Sequence, residues 1–233
     1  MKRRTGAIAL LIAAAACTPA AADPLRVNVR VEGKDKTLFE GRVLTDVHPV
    51  DAGDGTGPHK CDGTNGGANA TPGPTLFGAF DQALKGSEID WEGTYSEDFE
   101  DFTIDRVGPD SSDLEASEFW GQVLNFENTQ LGGCQIKLEP GDDVLIAYDS
   151  YERAKLKLRG PKNVTAGEPF TVRVTDGETG KPFKGARVRG KKTGARGRAR
   201  IVLKHPRAIR YRLKASAKDA IRSNALRVRA REG

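Results

Sequence analysis

The chain has 233 residues with 37 Lys/Arg against 32 Asp/Glu, a length that admits one large domain or two small ones. Its net charge of +5 excludes neither sign of partner, because residues 23–150 carry 26 Asp/Glu against 9 Lys/Arg while residues 151–233 carry 6 against 25. What the split does exclude is a uniformly basic chain: there are two electrostatic objects, with a border near Ser150-Tyr151.

Lys2-Arg3-Arg4, an apolar run from Ala7 to Ala16 and the small residues Ala20-Ala21-Ala22 have the order of an export signal, so residues 1–22 are expected to be removed near Ala22. The run is too short to span a bilayer and no second one follows, so no integral membrane span is predicted. A competing reading acylates Cys17 as a lipoprotein, but Ala14 stands where such sites carry Leu. Secretion is the expected localisation. Loss of Cys17 leaves Cys61 and Cys134, which an exported chain most simply pairs; two free buried thiols are the alternative.

Residues 23–150 open with Leu25–Val31, whose alternation predicts a strand with Val27, Val29 and Val31 on its one buried face. A turn at Gly33–Lys36 and a returning strand to Thr45 complete a hairpin. Asp51–Pro74 is rich in Gly, Asp, Asn and Pro and reads as a surface loop that buries no core. Leu76, Phe80, Ala83 and Leu84 then fall at helical spacing between Pro74 and Gly86. Short strands are expected at Trp91–Phe99 and Phe102–Val107. A closing hairpin follows, with Trp120, Val123, Leu124 and Phe126 in one strand, turns at Gly132-Gly133 and Pro140-Gly141-Asp142, and Val144–Tyr148 in the other.

The opening V-x-V-x-V-E-G, the proline-preceded helix ahead of a Trp, the late strand with Trp120 and Asn125, and the closing P-G-D-x-V before Ala147-Tyr148 resemble the β-grasp domain related to the C-terminal domain of transcobalamin. That family is found in secreted bacterial proteins, and the resemblance implies an α+β fold over about residues 25–149. Members usually carry Val-Asn-Gly where this chain has Leu124-Asn125-Phe126, which weakens transfer of a loop-based binding role. In transcobalamin a separate helical barrel covers the other face of cobalamin. With one predicted helix, cobalamin binding by this chain alone is not expected, and no cofactor is assigned.

Residues 151–233 show dense strand signals at Lys155–Arg159, Phe170–Val174, Ala186–Arg189, Arg198–Leu203, Ile209–Ala215 and Ala225–Ala230, separated by turns that include His205-Pro206. This spacing argues an all-β sandwich. The patterns P-x-N-V-x-A-G-E-P-F-T-V at 161–172 and T-G-K-P-x-x-G-A-x-V at 179–188 resemble Ig-like or transthyretin-like modules of bacterial surface proteins, which implies a spacer, adhesion or presentation role. Alternation aims Arg187, Arg189, Arg198, Arg200, Arg210, Arg212, Lys214, Arg227 and Arg229 at solvent. These form a candidate surface for an anionic cell-wall polymer or polysaccharide. The rival readings are that the basic half rests against the acidic one, or that these are ordinary solvated strand residues.

No catalytic constellation can be assembled. His48, His59 and His205 lie in no nucleophile or metal motif, and His59 beside Cys61 is a lone pair of neighbours. Glu97, Asp98, Glu100, Asp101, Asp110 and Asp113 could supply two carboxylates to a glycan hydrolase, the alternative to a non-enzymatic binder, with a small-ligand carrier as a third reading. Asp51 and Asp54 could supply oxygen ligands to calcium, though they lack the spacing of an EF-hand loop. Specific nucleic-acid recognition is not expected, since Phe170, Phe183, Tyr151 and Tyr211 are too few for a stacking platform.

Overall fold

The computed structural model describes residues 23–204 and 209–232. The expected export signal, Cys17 and the expected turn at His205-Pro206 lie outside the described residues. Among those described, the protein is mainly β, with one α-helix and several open sheets.

Strands β1 (Leu25–Glu32) and β2 (Thr37–Thr45) form the expected antiparallel hairpin, and Val27, Val29 and Val31 are buried. Helix α1 (Leu76–Lys85) begins where the Thr75 side chain accepts the Gly78 N–H at 3.0 Å and stops at Gly86. Next come β3 (Trp91–Ser96), β4 (Asp101–Val107), β5 (Asp110–Ser111), β6 (Trp120–Leu124), β7 (Glu127–Asn128) and β8 (Asp143–Tyr148). The main sheet has the order β2-β1-β8-β6-β7, with β1 parallel to β8 at its centre; β3, β4 and β5 form a second sheet. Leu76, Phe77, Phe80 and Leu84 of α1 sit in one core with the β1 valines, Val144 and Ile146. Phe80 stands edge-on to Trp91 at 5.1 Å.

The closing hairpin pairs as expected, Trp120 opposite Tyr148, but its turn comes earlier than the sequence predicts. The chain reverses at Asn125-Phe126 (φ 52° and 75°), giving the short β7, so Phe126 is a turn residue and not part of a strand. The Asp51–Gly73 stretch is a loop as expected, yet it is not wholly superficial: Ala52, Cys61 and Asn65 are buried. Asn65 Nδ2 donates to the Lys60 and Glu100 carbonyls, and Cys61 is bonded to Cys134. The disulfide therefore pairs the two cysteines expected to remain after cleavage.

The second half runs through β9 (Ala154–Arg159), β10 (Asn163–Thr165), β11 (Pro169–Asp176), β12 (Arg187–Val188), β13 (Lys191–Lys192), β14 (Arg198–Val202), β15 (Ile209–Leu213), β16 (Ala215–Ser216), β17 (Ala220–Ile221) and β18 (Leu226–Arg231). Three sheets result, ordered β14-β11-β9-β17, β10-β18-β15 and β13-β12-β16. Their inward residues, among them Leu156, Leu158, Val172, Val174, Ile201, Leu213 and Val228, make a second core distinct from the first. Between the two lies a small apolar contact of Val123, Leu145 and Ala147 with Ile221.

Candidate functional site

The main sheet has a second buried face, which the alternation in β1 did not announce. Arg30 lies opposite Glu40 and Asn28 opposite Arg42 across the β1–β2 ladder, while Asn28 pairs with Asp143 and Arg30 with Leu145 across β1–β8. These side chains share the face turned away from α1, and Arg212, Lys214, Ile221, Arg222 and Ala225 of the second half dock on it. Arg30 and Glu32, polar residues expected at the surface, are 6% and 1% exposed for that reason.

Burying a carboxylate demands partners, and Glu32 has them. It receives the Lys214 ammonium, Arg222 Nε at 2.7 Å and Thr37 Oγ1 at 3.0 Å, with Arg30 Nη1 at 3.9 Å. Glu40 takes Lys214 Nζ at 3.0 Å, Arg212 Nη2 at 3.3 Å and the Ala225 N–H at 2.6 Å. Burial pushes the Glu40 carboxyl up, but Lys214 and the Ala225 N–H more than offset it and hold the group below its ordinary range. Arg30 donates to the Arg222 carbonyl; burial pulls its guanidinium down against the raising influence of Glu32, Glu40 and Asp143. Arg222 also reaches the Gly33 and Lys36 carbonyls, clasping the β1–β2 turn.

Phe126 completes the joint. Its ring is 4% exposed, lies under Lys157 Nζ at 4.2 Å, and occupies space that a side chain at Gly177 would need. Phe126 is thus an aromatic wedge into the second half. Beside it Lys155 is 2% exposed, its ammonium pulled down by burial, with the Tyr151 carbonyl 3.4 Å away.

Next to this joint the halves leave a cleft of about 780 Å³. From the first half Asn28, Arg30, Glu40, Arg42 and Asp143 line it; from the second, Arg159, Lys162, Asn224 and Arg227, with Val144, Leu145, Leu158 and Leu226 as apolar patches. It adjoins a shallow basic groove over β15 and β18, which shares Lys162 and Arg227 and adds Arg210, Arg212 and Arg229.

The nine basic residues picked from the sequence do not form one surface. Arg210 stands directly opposite Arg229 and Arg212 opposite Arg227 on one face of β15–β18, and all four are exposed. Arg198 and Arg200 belong to β14, where Arg173 of β11 faces Arg198. Arg187 pairs with Lys192, and Arg189 sits at a turn with its guanidinium 5.5 Å from the Tyr211 ring. Lys214 departs from the expectation of a solvent-facing lysine: it is half-buried against Glu32 and Glu40, because the acidic half covers the end of β15. The rival reading, that basic residues rest on the acidic half, therefore describes Lys214, Arg222 and part of Arg212.

The other candidates serve the loops. Asp81 of α1 is 2% exposed and accepts from His48 Nε2 (3.2 Å), Trp91 Nε1 (3.3 Å) and Lys85 Nζ (2.6 Å). Hydrogen bonding to Asp81 raises the His48 pKa. His59 stacks on Tyr95 at 3.6 Å and bonds Thr56, while its neighbour Cys61 is in the disulfide. Asp51 caps the Gly53 N–H and Asp54 holds Thr56 and the Tyr95 N–H, so both close turns. Glu100 accepts the Gly66 N–H, and Asp110 the Lys34 N–H; Glu97, Asp98 and Asp113 are exposed. Asp101 is pushed up to about 6 by burial, which outweighs the N–H groups of Phe102, Cys134 and Gln135. Among the described residues no group of three or more His, Cys, Asp or Glu is placed to hold a metal ion, and no helix is long and apolar enough to cross a membrane.

No protein-family model matches the chain, and no curated protein is significantly similar to it.

Sequence reasoning missed Arg30, Glu32, Glu40, Arg42, Phe126 and Arg222. The one available signal was the opposite charge of the two halves, which requires complementary faces if they touch but does not say which strands supply them.

Proposed function

We propose that the protein is an exported, non-enzymatic binding or adhesion module of a bacterial surface, and that its basic half holds an anionic wall polymer or polysaccharide. The observation that carries this reading is the pair of directly opposed arginines on β15–β18, Arg210 with Arg229 and Arg212 with Arg227. Like charges directly opposite each other destabilise a sheet, and among the described residues only Arg212 of the four has a carboxylate, Glu40, in contact. A polyanion laid across this face removes the repulsion.

The finer fold reading belongs to the same proposal. The first half is a β-grasp-type domain of the transcobalamin C-terminal kind, supported by the β2-β1-β8-β6 order with a parallel central pair and α1 across one face. The second is an Ig-like or transthyretin-like module, supported by sheets sharing a core without a helix among the described residues.

Retention of the purified mature chain on an immobilised anionic wall glycopolymer tests the function. Retention should fall steeply with added salt and be largely lost in Arg210→Gln/Arg229→Gln. Retention that ignores both salt and these substitutions refutes the reading.

A further inference from the structure

The cleft between the halves holds more cationic donors than the fold consumes. Arg30 lies at its floor, 6% exposed, and donates to the Arg222 carbonyl with Glu32 at 3.9 Å. Its remaining N–H groups have no acceptor among the described residues, and none of them is a buried unpartnered atom, so they face the cleft. On the rim, Arg42, Arg159, Lys162 and Arg227 make no side-chain ion pair among the described residues. The anions in the lining are Glu40, already occupied by Lys214 and Ala225, and Asp143.

The rest of the lining narrows the ligand. The volume, about 780 Å³, falls within the roughly 300–1,000 Å³ of small-molecule sites. Asn28 uses its amide N–H on Gly141 and leaves its side-chain carbonyl for a hydroxyl donor. Val144, Leu145, Leu158 and Leu226 offer apolar patches that suit the C–H face of a sugar ring. Among the described residues Phe126 is the lone aromatic in the lining, and it is already covered by Lys157, so they leave no platform for a nucleobase.

We propose that this cleft binds an anionic sugar, phosphorylated or carboxylated, with Arg30, Arg42, Arg159 and Lys162 holding the anionic group and Asn28 accepting from a hydroxyl. The site stands on the cleft alone and does not need the outer face of β15–β18 to bind polymer. The sugar is either free or the terminal residue of a polymer.

Isothermal titration calorimetry with glucose 6-phosphate, glucuronate and neutral glucose tests it. Saturable binding is expected for at least one of the two anionic sugars and not for glucose. Arg42→Gln/Arg159→Gln should weaken that binding by at least about tenfold, the effect of losing a single charge-assisted contact. Lys184→Gln/Lys192→Gln, exposed and outside the cleft lining, should leave it unchanged. Arg42 and Arg159 are exposed, so the fold should survive, as circular dichroism would verify; Lys162→Gln, also exposed, provides a second reading of the same loss. Absence of saturable heat with both anionic sugars, equal binding of glucose, or an affinity indifferent to the Arg42/Arg159 change overturns the proposal. Polymer retention is scored separately, so its failure leaves the calorimetric result intact. If retained protein elutes with glucose 6-phosphate but not with sodium chloride of equal ionic strength, the sugar is a polymer end; if calorimetry shows binding without such elution, it is a free sugar.

Discussion

Replacing Glu32 by Gln tests whether the two halves are held by charge or merely lie in contact. Glu32 is 1% exposed and meets Lys214, Arg222 and, more distantly, Arg30. The substitution keeps the shape, removes the anion, and leaves Arg30, itself buried, facing Lys214 and Arg222. Removing one partner of a buried ion pair costs about 3–5 kcal/mol. Since Glu40 still engages Lys214 and Arg222 still bonds the Gly33 and Lys36 carbonyls, the lower end, about 3 kcal/mol, is expected. The assay is urea denaturation followed by tryptophan fluorescence, which reports the first core because Trp91 and Trp120 both belong to it, and by far-UV circular dichroism, which reports both halves. A cycle with Arg222→Gln should return a coupling energy of about 2 kcal/mol between the two positions. A loss below about 1 kcal/mol, as for exposed ion pairs, refutes the reasoning.

Cys61→Ala/Cys134→Ala should cost about 4 kcal/mol by loop-closure entropy over a sequence separation of 73, and open the Asp51–Gly73 loop to limited proteolysis. The buried Asp101 carboxyl, raised to about 6, acts in the opposite sense to ordinary carboxylates. Its stabilising contribution is complete below the unfolded pKa near 4 and is lost as pH rises to about 6, a swing on the order of 3 kcal/mol. The stability difference between the protein and Asp101→Asn should therefore shift by that amount in the protein's favour on going from pH 7 to pH 4; a pH-independent difference in urea midpoints would contradict it. Phe126→Ala should cost about 3 kcal/mol by emptying the wedge. Phe126→Gly should cost about 1 kcal/mol less than the φ-incompatible alanine, because φ 75° suits glycine; equal urea midpoints for the two variants would contradict the turn argument.

What could be read from the residues was what each half does by itself. The β1 valines, the helix between Pro74 and Gly86, the pairing of β6 with β8 and the strands β9, β11, β12, β14, β15 and β18 follow from local periodicity and punctuation, and the cysteine pairing from compartment, whereas the short β10, β13, β16 and β17 carry no such signal. What could not be read was the joint. Arg30 and Glu32 alternate with valines as solvent-facing residues do, and nothing local distinguishes a charge meeting water from one meeting Lys214 and Arg222. Phe126 looked like a strand residue because an apolar side chain after Leu124 continues the pattern. Its place at a positive-φ turn depends on a cavity supplied some fifty positions later by Gly177. The cleft has the same origin, since its walls come from both halves and neither contains it alone.

The parallel pairing of β1 with β8 sets the timetable of folding. Asn28 pairs with Arg42 in the opening hairpin but gains its second neighbour only when Asp143 arrives, and the face that carries it stays uncovered until residues 214–225 follow. A ribosome making this chain releases β1 early, while its central partner β8 and the cover of its polar face come late, a topology that folds slowly.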